Sequence, residues 1–364
     1  MQSFWEGLPR PFFVQAPLED VTDAAFRQLI ARLGKIPSTR LDGTSWRGGP
    51  DVMFTEFTSA DGIVLAPENG RKAILKKLLF SESERPIVAQ LFSAIPERME
   101  KAARLCADLK FDGIDINMGC PDRSVEKSGC GAALMKNPAL ARELICAAQS
   151  AGLPVSVKTR IGYDKDELDS PPSGESGGWL PELLAESPAA ITIHARTRRE
   201  MSDVPAHWDA VARAVAIRNQ CQDETLPRTL IVGNGDVKDL DDARVKATET
   251  GCDGVMLGRA LYGNPWLFAE RNTAPGRNEK IQALIEHIWL FDKLLGDTAN
   301  FATMKKHFKA YISGWPAYRP PAAARAGDKH GVGRDSAKEL RLKMMGSDNA
   351  RDATTILSNA IIEQ

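Results

Sequence analysis

The sequence predicts an α/β protein, a (β/α)8 TIM barrel followed by a small all-helical C-terminal domain. Eight short apolar, β-rich segments occur before residue 260, at residues 11–16, 53–57, 86–92, 113–117, 154–158, 190–194, 229–233 and 253–257. Most are continuous apolar runs, which is typical of parallel strands covered on both faces. Helical patterns separate them, and no strand pattern follows Pro275. We therefore expect the barrel over residues 1–275 and the helical domain over residues 276–364.

The first predicted helix covers residues 24–33 and follows Thr22-Asp23, a pair that suits an N-cap. The clearest other helices between strands lie at residues 96–109, 138–151, 204–219 and 237–250. A doubly wound sheet is the alternative architecture, but it carries fewer strands and a glycine-rich dinucleotide motif after its first strand. Here the first strand leads into Ala16-Pro17-Leu18-Glu19, which contains no such motif.

Two stretches interrupt this alternation as insertions. Residues 34–50 are rich in Gly, Pro, Ser and Arg, and residues 164–178 are polar, acidic and rich in Pro, Gly and Ser. We expect the second stretch to be a mobile loop on the catalytic face of the barrel. There it is either a lid or substrate filter, or a solvated loop without a role.

The C-terminal part is helical and basic. An amphipathic helix is predicted over residues 279–295, and further helices over residues 304–311 and 336–345. Between Met304 and Met345 ten Lys and Arg stand against three Asp and Glu. Such a patch suits contacts with a phosphate backbone, although many charge runs are simply solvated faces.

Composition excludes several classes of protein. The net charge of −1 argues against a uniformly basic nucleic-acid binder. The six cysteines form no CxxC pair, so we expect reduced thiols, no metal site and a cytoplasmic location. No segment has the length and apolarity of a membrane span, and the N-terminus lacks the pattern of a secretory signal. We also expect a monomer.

The fourth strand leads into Asn117-Met118-Gly119-Cys120-Pro121, which places a thiol where parallel α/β folds carry chemistry. Cys120 is therefore a candidate reacting group, whereas Cys130 in the nearby glycine-rich loop has no predicted role. Polar or cationic residues also end five other strands, and their convergence predicts a site for a polyanionic, hydrogen-bonding ligand. They are Gln90, Lys158-Thr159-Arg160, His194-Ala195-Arg196, Asn234-Gly235-Asp236 and Gly258-Arg259.

Two of these groups indicate the kind of ligand. Glycine-containing turns after the seventh and eighth strands usually form the phosphate site of a barrel. Lys158, Gln90 and Asn117 suit a heteroaromatic ring system with several nitrogen and oxygen atoms. Flavin mononucleotide (FMN) has both a phosphate and such a ring system. A Schiff-base aldolase is the competing interpretation of Lys158.

These residues resemble the tRNA-dihydrouridine synthase family, with motifs in the family's order over roughly residues 11–270. The helical part adds a local match at Met304-Lys305-Lys306-His307. The matching segments are Ala16-Pro17-Leu18-Glu19-Asp20-Val21-Thr22-Asp23, Phe54-Thr55-Glu56-Phe57, Gln90, Asn117-Met118-Gly119-Cys120-Pro121, Gly129-Cys130-Gly131-Ala132-Ala133-Leu134-Met135, Lys158-Thr159-Arg160, His194-Ala195-Arg196-Thr197, Asn234-Gly235-Asp236 and Gly258-Arg259.

The resemblance implies an FMN-dependent oxidoreductase that reduces the C5–C6 double bond of a uridine in tRNA, with NADPH or NADH as reductant. Hydride would pass from the flavin N5 to C6, and Cys120 would give a proton to C5. Substrate contacts would come from Arg160, Arg196, Lys305 and Lys306. FMN would be held by Pro17, Leu18, Glu19, Gln90, Asn117, Lys158, His194, Asn234, Gly235, Asp236, Gly258 and Arg259.

Two alternatives remain open at this point. A flavin barrel that acts on a free pyrimidine or on dihydroorotate would need no basic helical domain. An RNA-binding or chaperone module without activity would need neither Cys120 nor Lys158. The insertions leave open which tRNA uridine is modified.

Overall fold

The computed structural model describes residues 3–35, 37–39, 45–169, 178–221, 225–269, 271, 273–313 and 337–361. Eight parallel strands form the core of the molecule, and each predicted strand is present with ends shifted by at most a few residues. They are β1 (Phe12–Gln15), β2 (Met53–Phe54), β3 (Ile87–Phe92), β4 (Gly113–Met118), β5 (Val155–Arg160), β6 (Ala190–His194), β7 (Leu230–Asn234) and β8 (Gly254–Leu257).

The strands follow one another around a nearly closed barrel in sequence order, with β8 paired to β1. Between β1 and β2 a single bridge joins Val14 to Val52, and the Gln15 amide donates to the Val52 carbonyl at 3.1 Å. A short strand, Thr58–Ser59, extends the pairing along β3. The (β/α)8 prediction is therefore confirmed.

The end of the barrel opposite the carboxyl ends of the strands, here called the lower end, is filled by apolar side chains. Trp5 precedes β1 and packs against Phe12 and Phe54, with ring centroids 5.8 and 6.4 Å apart. Gly254 gives Phe12 its space, because a Cβ at this glycine would lie 2.4 Å from the Phe12 ring. This packing closes one end of the barrel, and the cavity lies at the carboxyl ends of the strands, where parallel-sheet enzymes place their sites.

Nine helices accompany the barrel in the described chain, and α1 begins as predicted, since the Asp23 carboxylate accepts from the Phe26 amide at 2.9 Å. The bounds are α1 (Ala24–Gly34), α2 (Ala60–Leu65), α3 (Glu68–Lys76), α4 (Pro96–Asp108), α5 (Arg123–Lys127), α6 (Pro138–Gln149), α7 (Trp179–Leu184), α8 (Trp208–Cys221) and α9 (Leu240–Thr250). Single 3-10 turns lie at Phe4–Gly7, Glu82–Glu84, Gly131–Lys136, Arg259–Leu261 and Leu267–Ala269.

The two predicted insertions are partly described. In the first, Pro37–Thr39 pairs antiparallel with Ser45–Arg47. In the second, residues 164–169 are anchored rather than mobile, because Leu168 is fully buried and Arg213 forms ion pairs with Asp166 and Asp169. Residues 170–177, and residues 322–333, which are rich in Ala, Gly and charged residues, lie outside the described residues.

After the barrel the described chain contains helices and no strand. They are α10 (Arg277–Leu295), α11 (Lys305–Tyr311), preceded by a 3-10 turn at Phe301–Met304, α12 (Ala337–Met345) and α13 (Ala350–Ala360). Helix α10 packs along α1, where Phe26 stacks on His287 with ring centroids 4.9 Å apart. Among the described residues, none of the helices combines the length and apolarity needed to cross a bilayer.

Two buried histidines lie at this contact. His287 and His307 meet edge to face, with centroids 4.5 Å apart, and within the described residues none of their four ring nitrogens has a hydrogen-bond partner. Burial lowers the pKa of His307 to about 3, and that of His287 well below its usual value. Both imidazoles are therefore neutral in the folded protein at neutral pH.

Replacing His307 by Phe is expected to reduce the loss of stability in mild acid. The unfolded chain binds a proton at His307 below about pH 6.5 while the folded chain does not, so stability falls as pH drops below that value. The cost is about 1.4 kcal/mol at one pH unit below it. Thermal melting at pH 7.5 and 5.5 should show a larger fall in Tm for the wild type than for His307→Phe; an equal fall in both proteins contradicts this assignment.

Candidate active site

The carboxyl ends of the strands surround a cavity of about 660 Å³, a size typical of cofactor sites. Most of the residues predicted from the strand ends line this one cavity. They are Pro17, Leu18, Gln90, Asn117, Cys120, Lys158, Arg160, His194, Arg196, Asn234, Gly235, Asp236, Gly258 and Arg259. Other residues line the cavity without having been predicted to bind a ligand, among them Phe57, Ser202, Val237, Lys238 and Met256.

Charge within the lining is strongly asymmetric. Five cationic side chains face one carboxylate, that of Asp236, so the cavity suits an anionic ligand. The cations are Lys158, Arg160, Arg196, Lys238 and Arg259.

Cys120 lies on the loop after β4, held by its neighbours. Its amide donates to the Asn117 Oδ1 at 2.9 Å, and its carbonyl accepts from the Ala132 amide at 2.9 Å. Gly131 passes so close that a Cβ would lie 2.6 Å from this carbonyl, and its φ of +61° also favours glycine. Burial raises the pKa of the Cys120 thiol, so the group is protonated at neutral pH and can act as an acid.

Lys158 extends from β5 into the cavity, and its ammonium makes no hydrogen bond to another described residue. Burial and the neighbouring Arg160 lower its pKa to about 8, while Asp115 opposes this change. The ammonium is still largely charged at pH 7 and is open to a ligand in the cavity.

His194 is held as a neutral donor. Its Nε2 lies 3.2 Å from the Arg196 Nη1. Because a guanidinium only donates, Nε2 accepts and the ring proton must be on Nδ1. Burial, followed by the charge of Lys158, lowers the pKa of His194 well below its usual value.

The two arginines of the lining also hold the cavity wall. Arg160 donates to the carbonyls of Gly119, Thr197 and Met201, each at 2.9 Å. Arg196 is buried and donates to the Val204 carbonyl at 2.6 Å. Most of their N–H groups are therefore occupied by protein, which leaves few for the substrate contacts predicted from the sequence.

The turns after β7 and β8 both line the cavity, through Gly235 and Asp236 and through Gly258 and Arg259. Gly235 has φ of +133°, and a Cβ there would lie 2.8 Å from that of Ala206. The Asp236 carboxylate forms ion pairs with Arg196 and with the exposed Arg259. Asp236 therefore orients Arg259. Together with the backbone N–H groups of the turns after β7 and β8, Arg259 can bind a phosphate.

Three predicted residues lie outside the lining. Glu19 turns away from the cavity and forms an ion pair with Lys77. On α11, Lys305 donates to the Met345 carbonyl at 2.9 Å, and Lys306 forms an ion pair with Asp20 at 2.7 Å. Glu19 and the two lysines are therefore not part of the cavity lining, and of the lysines Lys306 contacts the loop after β1.

A buried carboxyl supports the loop after β1. Glu56 Oε1 accepts from the Asp20 amide at 2.6 Å, which fixes the turn that presents Pro17 and Leu18 to the cavity. Burial, with the nearby Asp23 carboxyl, raises the pKa of Glu56 to about 8. The sequence motif contained Glu56, but it gave no sign of this contact.

The chain is similar to several known proteins. A profile of the family described as Dihydrouridine synthase (Dus) matches residues 14–339. Probable tRNA-dihydrouridine synthase 2 of Bacillus subtilis is 39% identical over 316 residues, covering 86% of this chain and 89% of its own. A probable tRNA-dihydrouridine synthase of Staphylococcus epidermidis is 38% identical over 315 residues, covering 86% and 88%. Histamine dehydrogenase from Rhizobium sp. 4-9 superposes with a TM-score of 0.46 at 13% identity, covering 76% of this chain and 48% of its own.

Proposed function

The chain belongs to the dihydrouridine synthase family, and on that basis we propose that it reduces a uridine of tRNA to 5,6-dihydrouridine. The observation that carries the proposal is the pairing of a protonated thiol, Cys120, with an open ammonium, Lys158, in one cationic cavity. This pairing offers one group that can release a proton and one that can stabilise a developing negative charge.

FMN fits the residues of this cavity. Gln90, Asn117 and Lys158 offer hydrogen-bond donors to a ring system, and Arg259 with the turn at Gly235 and Asp236 offers a phosphate site. When bound and reduced by NADPH or NADH, FMN would supply the hydride for C6 of the uracil. Pro17, Leu18 and Gly258 would contact the cofactor from the loops after β1 and β8.

The residues of this chain would then control the proton. As hydride arrives at C6, negative charge develops at C5 and O4 of the uracil. Cys120 would give its proton to C5, and its raised pKa keeps that proton available at neutral pH. Lys158 would stabilise negative charge on the ring system beside it, and the neutral His194 would add a donor from its Nδ1.

We further propose that residues 276–364 form a tRNA-binding domain. A uracil inside folded tRNA must leave its stack to reach Cys120, and contacts to the surrounding phosphates would support this exposure. Lys305 and Lys306 are candidates for such contacts, and the ion pair of Lys306 with Asp20 links α11 to the loop beside the cavity.

The purified protein is expected to be yellow and to release FMN when denatured. With NADPH it should form dihydrouridine in unmodified tRNA but should not reduce free uracil. The reason is that only tRNA has phosphates that the basic helical part can contact. The measurements are the flavin absorbance and the dihydrouridine content of the product.

Two results would contradict this proposal. A colourless protein that cannot be reconstituted with FMN removes the flavin assignment. Equal turnover of free uracil or dihydroorotate and of tRNA moves the function to a small-molecule oxidoreductase. If tRNA is the substrate, mapping dihydrouridine in tRNA from cells that lack the protein identifies the modified position.

A further inference from the structure

Beneath the cavity, four buried side chains form a continuous hydrogen-bonded chain, which we call the polar chain: Ser156, Asp115, Gln90 and Asn117. The two Asp115 oxygens accept from the Ser156 Oγ at 2.6 Å and from the Gln90 Nε2 at 2.7 Å. The Gln90 Oε1 accepts from the Asn117 Nδ2 at 3.1 Å. The Asn117 Oδ1 accepts from the amides of Gly119 and Cys120 at 3.1 and 2.9 Å.

The direction of this polar chain is determined by its two ends. Backbone amides only donate, so the Asn117 Oδ1 must accept and its Nδ2 must face Gln90. The Gln90 Oε1 then accepts, so its Nε2 must face Asp115. An ionised carboxylate only accepts, and Asp115 therefore completes the series. An asparagine in place of Asp115 could present either end of its amide to Gln90, so the direction would then be determined from the Asn117 end alone.

The polar chain leaves a defined set of groups for a ligand. One N–H of the Gln90 amide and one of the Asn117 amide remain unused within the polar chain, and both residues line the cavity. Asp115 itself does not line it. Its two hydrogen bonds place it one layer below, between β3 and β5.

We propose that Asp115 is a positioning residue that holds the Gln90 and Asn117 amides with their N–H groups toward FMN and, through Asn117, fixes the loop that carries Cys120. The proposal rests on the proposed function for its ligand, while its effect on the Cys120 loop is independent of that function. In the sequence, Asp115 lies within the fourth predicted strand, two residues before Asn117, and was given no role.

The charges around Asp115 agree with an acceptor at neutral pH. Burial raises its pKa to about 6, and the hydrogen bonds from Ser156 and Gln90, together with the charge of Lys158, oppose that rise. The carboxyl is therefore mainly ionised at pH 7.5, where the test should be run.

The test compares Asp115→Asn with Ser156→Ala in the full-length protein. Both variants alter a hydrogen bond of Asp115, but only the first replaces the carboxylate, which can only accept from Gln90, with an amide that can also donate toward it. We expect Asp115→Asn to weaken FMN binding about tenfold and to speed alkylation of Cys120 by iodoacetamide several-fold. Ser156→Ala should change both readouts less than about threefold. Flavin titration gives the first readout, and peptide-level mass spectrometry of flavin-free protein gives the second.

A double variant, Asp115→Asn with Gln90→Glu, separates the two effects. It keeps the net charge, nearly the same side-chain volumes and the number of hydrogen bonds, because the new amide at position 115 can donate to the new carboxylate at position 90, and that carboxylate can still accept from Asn117. We expect wild-type alkylation of Cys120 in this variant but FMN binding still weakened about tenfold, since position 90 no longer donates. Thermal melting establishes that each protein is folded. If Asp115→Asn is not folded, the double variant alone tests the proposal.

Three results would overturn the proposal. They are equal effects of Asp115→Asn and Ser156→Ala on both readouts, unchanged FMN binding in the double variant, and fast alkylation of Cys120 in the double variant. Failure of the proposed function is distinguishable from these, because it would appear in the wild type as a lack of FMN binding or of dihydrouridine. The alkylation comparison on flavin-free protein would still test the effect on the loop.

Discussion

Cys120→Ala is expected to bind FMN and oxidise NADPH as the wild type does, and to form dihydrouridine about 10²–10⁴-fold more slowly. In the proposed function the Cys120 thiol, whose pKa burial raises, is the acid, and its removal would leave the negative charge at C5 to take a proton from water. Flavin absorbance, NADPH oxidation and dihydrouridine formation, measured on the same preparation, separate the lost proton transfer from a lost cofactor.

Cys130→Ala is the matched control. Cys130 lies in the same glycine-rich region, but it is buried and its thiol faces the Ser128 carbonyl at 3.6 Å rather than the cavity. Its replacement should leave dihydrouridine formation within about threefold of the wild type. Wild-type dihydrouridine formation by Cys120→Ala would remove Cys120 from the chemistry.

Lys158→Met is expected to lower turnover about 10²–10³-fold and to weaken FMN binding, because the ammonium is the open cation beside the ring site. In the wild type, FMN binding should weaken as pH rises through about 8, where burial has placed the pKa of Lys158. The variant has no such group, so its affinity should change less over the same pH range. Flavin titration between pH 6.5 and 9 measures both effects.

Lys238→Met provides the comparison for a general loss of charge. Lys238 is exposed on the rim of the same cavity. Equal effects of the two lysine variants on FMN affinity and turnover would mean that net charge, rather than the position of Lys158, supports binding.

The strands could be predicted from sequence because each is a short apolar run that is buried on both faces. Helices of two turns or fewer, such as α2 and α7, were missed because so few residues cannot establish a 3.6-residue period. Helix α8 begins at Trp208, later than predicted, because residues before it form part of the wall of the cavity: Ser202 lines it and the Val204 carbonyl binds Arg196.

The position of site residues was predictable, but their partners were not. A strand end specifies which side chains reach the mouth of a barrel. It does not specify that Glu19 pairs with Lys77, 58 residues away, or that Asp236 binds two arginines. Those pairs depend on contacts between loops that follow different strands, and no local pattern in the sequence specifies these contacts.

The aromatic side chains that fill the lower end of the barrel affect the order in which ligands can bind in the cavity. Because Trp5, Phe12 and Phe54 close that end, ligands in the described part of the structure reach the cavity through its upper mouth. In the proposed function, the nicotinamide reductant and the uridine would then compete for the same entrance. Each would have to leave before the other entered, so reduction of the cofactor and reduction of the RNA would alternate as a ping-pong cycle.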